Sequence, residues 1–166
     1  KGFMTVGDAV GCAENMKMSD GSFFPVPILC LLESTDEIKG AKRIALRDPN
    51  VEGNPVLAVM DVNTIEEVND EQMKVMTERV YATTDTDHPG VAEFNSQGRL
   101  AVSGPIQVLN FSYFQNDFPD TFRTAVEIRN EIQERGWKTI VAFQTRNPMH
   151  RAHEELCKMA MDAVDA

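Results

Sequence analysis

The stretch Thr139-Ile-Val-Ala-Phe-Gln-Thr-Arg-Asn-Pro-Met-His-Arg-Ala-His153 decides the fold class of this chain. Its first five residues are β-branched or apolar, which favours a short buried strand over Thr139–Phe143. A polar loop follows. Asn147 and Pro148 are residue types preferred at the N-cap and at the first position of a helix. The stretch therefore predicts a strand, a loop and a helix in that order.

A second helix is predicted just before this strand. Thr124-Ala-Val-Glu127 has the spacing of a capping box, in which the threonine hydroxyl and the glutamate carboxylate each accept a backbone N–H group. The helix runs to about Arg135, and Gly136 is suited to end it in a left-handed conformation. Helix, strand, loop and helix form the opening of an α/β nucleotide-binding domain. We place the start of that domain between about Asn116 and Thr121.

The preceding two thirds of the chain are predicted to be mostly strand, with helical interruptions. Four apolar and β-compatible runs predict strands, the last with a break at Gly104-Pro105: Phe23–Leu32, Lys42–Arg47, Pro55–Val62 and Arg99–Phe111. From Ile65 to about Ala82 the apolar residues recur at helical intervals, which predicts a helix. Thr83–Gly98 is rich in Asp, Thr, Asn and Gly, which predicts a loop.

Composition narrows the classes of function. The chain has 166 residues, 42% apolar and 25% charged, as expected of a soluble globular protein. Its net charge of −10 argues against binding to nucleic acid or an anionic membrane surface. No apolar run approaches the roughly 20 residues of a membrane helix. Three widely spaced cysteines, Cys12, Cys30 and Cys157, suit reduced thiols in the cytoplasm. The chain opens on Lys-Gly-Phe-Met, without a leader or an initiator methionine, so we expect it to be cut from a longer protein.

The loop after Phe143 has the features of an anion site. With a helix starting at Pro148, His150 falls in the first turn and His153 lies three residues later on the same face. The backbone N–H groups and the dipole of a helix N-terminus favour phosphate or sulfate. Arg146 can contact a tetrahedral oxyanion through two N–H groups, and Gln144 can donate an amide N–H.

Two other interpretations of the histidines remain open. They could be surface residues without a ligand, since a polar loop before a capped helix is common. They could also form a metal site with Cys157, because the three lie at positions i, i+3 and i+7 of one helical face. The sequence lacks a His-Glu-x-x-His or Cys-x-x-Cys pattern, so we assign no metal ligand.

Gln144–His153 resembles the Gln-x-Arg-Asn-Pro-x-His-x-x-His signature of the ATP sulfurylases. Further stretches agree with that family: Gly2-Phe3-Met4, Asp87-His88-Pro89-Gly90-Val91, Ser103-Gly104-Pro105-Ile106 and Glu134-Arg135-Gly136-Trp137. The resemblance implies an α/β fold overall. A β-rich PUA-like domain over residues 1–118, incomplete at its start, would precede a Rossmann-like nucleotidyltransferase domain that begins at residues 119–166 and is incomplete at its end.

The same resemblance implies a sulfate adenylyltransferase, which interconverts ATP and sulfate with adenylyl sulfate and pyrophosphate. The implied catalytic residues are Thr145, Arg146 and Asn147. Gln144 and Arg146 would bind sulfate, and ATP would contact Gln144, Thr145, Arg146, Asn147, His150 and His153. Mg²⁺ is expected to accompany ATP, without a cage of protein carboxylates.

The resemblance also implies a homo-oligomer for the whole enzyme, which would bind neither nucleic acid nor a membrane. The family's later Gly-Arg-Asp-His-type segment is not found in residues 1–166, so we expect this chain alone to be inactive. Two alternatives stay open. One is a nucleotidyltransferase of the His-x-x-His type with a different acceptor, and the other is a PUA-like binding module without catalytic activity.

Overall fold

A computed structural model describes residues 2–166 and separates them into two units, residues 2–113 and residues 114–166. We call them the sheet unit and the helical unit. The described residues contain both helices and strands, and this mixed content confirms the predicted α/β class. The limits proposed for the two domains, 1–118 and 119–166, stay a prediction.

One long strand organises the sheet unit. The six strands are β1 Gly2–Phe3, β2 Leu31–Leu32, β3 Arg43–Arg47, β4 Val56–Asp61, β5 Thr64–Glu67 and β6 Leu100–Val108. Strand β6 pairs antiparallel with β1, β2, β4 and β5, whereas β3 joins the sheet through β4. Because Leu100 and Ala101 pair with both β2 and β5, those two strands lie on opposite edges of β6.

Gly104 lets neighbouring backbones approach β6 closely. Its φ of +156° is one that L side chains rarely adopt, and a Cβ there would collide with the carbonyl oxygen of Asp61. A Cβ on Gly2 would likewise collide with the carbonyl of Gly104. Strand β1 pairs with both Gly104 and Pro105, so β6 continues through this dipeptide. The predicted break in the strand is therefore wrong.

Three helices pack on this sheet: α1 Val6–Asn15, α2 Asp70–Tyr81 and α3 Pro89–Ser96. Thr5 caps α1 by accepting the N–H of Asp8 at 3.1 Å, but α1 was not predicted. A short 3₁₀ helix covers Asp36–Ile38. The main core lies between α1, α2 and β6, and its buried residues are Met4, Val6, Ala9, Cys12, Val68, Met73, Met76 and Ala101.

Several predictions in the sheet unit are confirmed, and others are wrong. Strands β3, β4 and β6 confirm the expected strands over Lys42–Arg47, Pro55–Val62 and Arg99–Phe111. Of Phe23–Leu32, only Leu31–Leu32 is strand. Pro25 and Pro27 interrupt the rest of that run, because proline has no N–H group to donate to a sheet.

The segments around α2 and α3 also differ from expectation. The helix predicted from Ile65 begins only at Asp70, where Asn69 forms a capping box, and Thr64–Glu67 pairs with β6 instead. The predicted loop Thr83–Gly98 contains α3, capped by His88 with a proline in the first turn. In both places a capping residue determines where the helix starts, and the apolar spacing did not reveal it.

The helical unit contains α4 Phe114–Asp117, α5 Ala125–Arg135 and α6 Arg151–Met161. The capping box predicted for α5 is confirmed. Thr124 Oγ1 accepts the N–H of Glu127 at 3.2 Å, and the Glu127 carboxylate accepts the N–H of Thr124 at 2.7 Å. That backbone N–H, together with the Thr124 hydroxyl, holds the pKa of Glu127 below its usual range. Gly136 ends the helix with φ +69°, also as predicted.

The strand predicted over Thr139–Phe143 is wrong. Over residues 2–166 no strand pairs with this segment, and backbone groups need such partners to form a sheet. Instead, the Asp165 carboxylate accepts the N–H groups of Thr139 and Lys138 at 2.9 and 2.8 Å, which keeps its pKa low. Hydrogen bonds thus join the segment before the predicted site to the segment that follows α6.

Candidate functional site

Helix α6 begins three residues later than predicted. Its first residue is Arg151 and its N-cap is His150, whose φ of −105° and ψ of 157° are extended. Asn147 and Pro148 were expected at the N-cap and first helical position, and that expectation is wrong. His150 therefore lies at the cap itself, while His153 occupies the third helical position.

The two histidines cap the helix reciprocally. Nδ1 of His150 accepts the N–H of Ala152, and Nδ1 of His153 accepts the N–H of His150, each at 3.2 Å. A neutral imidazole accepts at one nitrogen and donates from the other. These contacts fit neutral rings with the proton on Nε2, and no hydrogen bond joins either Nε2 to another residue in the described part of the chain. The arrangement leaves two N–H donors for a ligand.

The rings stand beside an aromatic neighbour. The imidazoles meet edge to face, with centroids 6.2 Å apart and planes at 74°. Phe143 lies 5.5 Å from the His153 ring. A phenyl ring on one side of His153 restricts the orientations that its imidazole can take. Phe143 was predicted only as a strand residue, and its distance in sequence from His153 gave no signal of this contact.

The turn before the helix is shaped by Thr145. Its hydroxyl accepts the N–H of Asn147 and donates to the carbonyl of Asn147, both at 3.2 Å. The side chains of Gln144, Arg146 and Asn147 are exposed. The structure thus joins Thr145 to Asn147 and His150 to His153, whereas Gln144 and Arg146 extend into solvent.

Residues 144–153 are cationic, whereas the chain as a whole carries a negative net charge. Residues 144–153 contain two arginines, two histidines and no carboxylate, within a chain of net charge −10. Glu154 and Glu155 follow immediately, but both contact Lys158, at 2.8 and 3.0 Å. These carboxylates, Glu154 first, raise the pKa of Lys158. Because that ammonium partly offsets their charge, the segment stays locally cationic, as an anion site requires.

The metal interpretation gains no support from the geometry. Among residues 2–166, no three His, Cys, Asp or Glu side chains are grouped so that they could hold a metal ion. His150 and His153 use Nδ1 for helix capping, and Cys157 lies one turn beyond them in α6.

The described helices include none whose length and apolar character would let it cross a bilayer.

Comparison with known families accounts for both parts of the chain. The sequence model of the PUA-like domain family matches residues 1–111. The chain belongs to the PUA-like domain family. The ATP-sulfurylase family matches residues 119–166, the part of this PUA-like chain that contains Gln144–His153. The resemblance to ATP sulfurylases is thereby confirmed.

Curated relatives agree. A sulfate adenylyltransferase of Allochromatium vinosum is 76% identical over 99% of this chain, and the chain spans 42% of its length. One from the Riftia pachyptila sulfur-oxidizing endosymbiont is 75% identical, with 38% of its length covered. Among solved structures, a hexameric APS kinase from Thiobacillus denitrificans aligns with 98% of the chain and 27% of its own length, with a TM-score of 0.59 and 25% identity. The chain thus spans well under half of the curated relatives it matches.

Proposed function

We propose that this chain is part of a sulfate adenylyltransferase and that residues 144–153 contribute to its active site. The observation that carries the proposal is the pair of cap histidines, whose Nε2–H groups are both left for a ligand. They stand at a helix N-terminus, where the dipole favours anions. The match of residues 119–166 to the ATP-sulfurylase family supports the same assignment.

Each predicted residue has a role in this proposal. The Nε2–H groups of His150 and His153 bind the phosphates of ATP. Gln144 and Arg146 bind sulfate, and the planar guanidinium suits two oxygens of a tetrahedral anion. Thr145, Arg146 and Asn147 orient the reactants, and the Thr145–Asn147 turn holds their backbone in place. The ATP contacts include all of Gln144, Thr145, Arg146 and Asn147.

The reaction needs positioning more than proton transfer. Sulfate is a dianion at neutral pH, so no general base has to create the nucleophile. A sulfate oxygen forms a bond to the α-phosphorus of ATP as the bond from that phosphorus to the bridging oxygen breaks, and pyrophosphate leaves with the electron pair. Arg146 offsets the charge of sulfate while the two imidazole N–H groups receive charge that grows on the leaving phosphates. Such preorganised donors are the main source of catalysis in phosphoryl-type transfer.

Mg²⁺ is proposed to enter with ATP, and the described residues provide no set of ligands for it. The carboxylates next to the segment, Glu154 and Glu155, are paired with Lys158.

The remaining partners follow from the same proposal. The substrates and products are ATP, sulfate, adenylyl sulfate and pyrophosphate, and neither nucleic acid nor a membrane is involved. We propose a homo-oligomer for the whole enzyme, with the hexameric APS kinase as support. A cytoplasmic location is proposed because Cys12, Cys30 and Cys157 are all free thiols.

The proposal is tested by Arg146→Lys in the whole enzyme. Lysine keeps the charge but cannot reproduce the planar fork, so kcat/KM for sulfate should fall by about 100-fold or more, as for loss of a positioned oxyanion donor. Arg129→Lys, at an exposed position of α5, is the matched control and should change little. Turnover of Arg146→Lys equal to that of the control would remove Arg146 from the site. Pyrophosphate release that does not depend on sulfate would indicate a different acceptor.

A further inference from the structure

The sheet unit contains a cationic pocket, far in sequence from residues 144–153. It lies between α2 and α3 and has a volume of about 190 Å³. Met73 is its apolar member, and the polar lining residues are Asp70, Lys74, Thr77, Thr84, Asn95 and Arg99. We call it the α2–α3 pocket. The lining residues come from four parts of the fold: α2, the loop after it, α3, and the residue before β6.

Arg99 lines this pocket and is only partly paired. Its Nη2 contacts the Asp70 carboxylate at 3.2 Å, but Nη1 is buried and has no hydrogen-bond partner among the described residues. A guanidinium carries five N–H donors, and burying one without an acceptor costs free energy. Asp70 does not neutralise Arg99 fully, because the Asp70 side chain is 98% exposed and exposed ion pairs are weak.

The rest of the lining is rich in donors. Lys74 contributes an ammonium group with three donors, and Asn95 contributes an amide. Thr77 is buried and its hydroxyl donates to the carbonyl of Met73 at 2.7 Å. Thr77 therefore shapes the pocket wall, and its hydroxyl hydrogen is not available to a ligand. Lys74 and Arg99 therefore give the pocket a positive charge inside a strongly acidic chain.

We propose that the α2–α3 pocket binds a small tetrahedral oxyanion, either sulfate or inorganic phosphate. Such an anion accepts from Lys74, from Asn95 and from the exposed part of the Arg99 guanidinium, whose side chain is 42% exposed. The pocket is smaller than the roughly 300–1,000 Å³ of sites for drug-sized ligands, so its volume fits a small anion better than a whole nucleotide. This site is independent of adenylyl transfer, and it stands whether or not residues 144–153 are catalytic.

The test is a heteronuclear NMR titration of the ¹⁵N-labelled 166-residue chain. Sodium sulfate, sodium phosphate and sodium chloride are added separately at matched ionic strength and pH 7. Saturable shifts of the Lys74, Asn95 and Arg99 amides with sulfate or phosphate, but not with chloride, are expected. The anion that saturates at the lower concentration is the preferred ligand. Amides of residues 144–153 report the proposed active site separately in the same spectra.

Two variants and one control make the assignment specific. Lys74→Gln and Arg99→Gln should each raise the Kd for the anion by about tenfold, the effect of losing one charge-assisted contact. Arg79→Gln removes the same charge from α2 outside the pocket and should stay within about twofold of the parent chain. If Arg99→Gln disturbs the fold, Lys74→Gln decides, because Lys74 is exposed. Shifts that are linear, that chloride reproduces, or that survive Lys74→Gln unchanged would overturn the proposal.

Discussion

Replacing His150 by asparagine separates its two roles, helix capping and ligand binding. Asparagine is among the best N-cap residues, and its Oδ1 can replace Nδ1 as acceptor of the Ala152 N–H. Its amide nitrogen ends one atom short of the position of Nε2, so the outward donor is lost. His150→Ala removes both functions. The pair of variants therefore distinguishes loss of the ligand contact from fraying of α6.

The expected magnitudes follow from the contacts that change. A hydrogen bond to a charged acceptor contributes about 1.5–3 kcal/mol, so His150→Asn should weaken binding of an ATP analogue by roughly 10- to 150-fold. The stability of α6 should stay nearly unchanged in this variant. His150→Ala should lose similar affinity and, in addition, about 1 kcal/mol of helix stability, because an N-cap acceptor is gone.

Binding is measured by calorimetry on the whole enzyme with a non-hydrolysable ATP analogue, and helix stability by thermal circular dichroism. His88→Asn is the matched control, since His88 caps α3 in the same way, with Nδ1 accepting the Gly90 N–H at 3.2 Å. That substitution lies in the sheet unit and should leave ATP affinity unaltered. If His150→Asn binds the analogue as tightly as His88→Asn does, the phosphate role of His150 is refuted.

Three further predictions concern stability and activity. Gly104→Ala should destabilise the sheet unit by more than about 3 kcal/mol in urea unfolding, because the Cβ meets the Asp61 carbonyl. Gly7→Ala, in a helix and with open space around it, should stabilise slightly, and equal effects of the two would contradict the steric reasoning. Ser112→Ala should reduce the loss of stability between pH 7 and pH 3. Ser112 Oγ, at 2.6 Å, and the Asn50 N–H depress the pKa of Asp48, so their contribution is present above the unfolded value of about 3.9 and disappears as pH falls through the folded pKa. An unchanged pH dependence would show that Asp48 is not the responsible group. Residues 1–166 alone should release no pyrophosphate from ATP and sulfate, and robust sulfate-dependent release would show that they hold a complete site.

The sequence predicted best where one local signal determined the structure. The capping box at Thr124 and the glycine at residue 136 were sufficient to delimit α5, because both ends of that helix depend on residues within it or next to it. Strands β3 and β4 were also predictable, since their apolar runs are bounded by turn residues.

Prediction failed where contacts between residues far apart in the sequence determine the local structure. Thr139–Phe143 has strand composition, yet a strand exists only with a neighbour, and its backbone bonds to Asp165 instead. At the site, Asn147 and Pro148 are good helix-start residues, but two imidazoles accept backbone N–H groups three residues later, and the helix starts at Arg151. His-x-x-His is not a familiar capping pattern, so the sequence did not predict that both Nδ1 atoms accept backbone N–H groups. The α2–α3 pocket combines residues 25 positions apart, from Lys74 to Arg99, and no motif marks it.

The position of β6 in the chain has a consequence for synthesis on the ribosome. Strand β1 is made before the other described strands, yet its partners Gly104 and Pro105 are about a hundred residues later. At the usual rate of roughly 5–20 residues per second, β1 waits about 5–20 s for its partner. Until β6 emerges, β2, β4 and β5 also lack the strand that they share. Their unpaired edges stay open to wrong partners during that interval, and the sheet closes only when this last strand arrives.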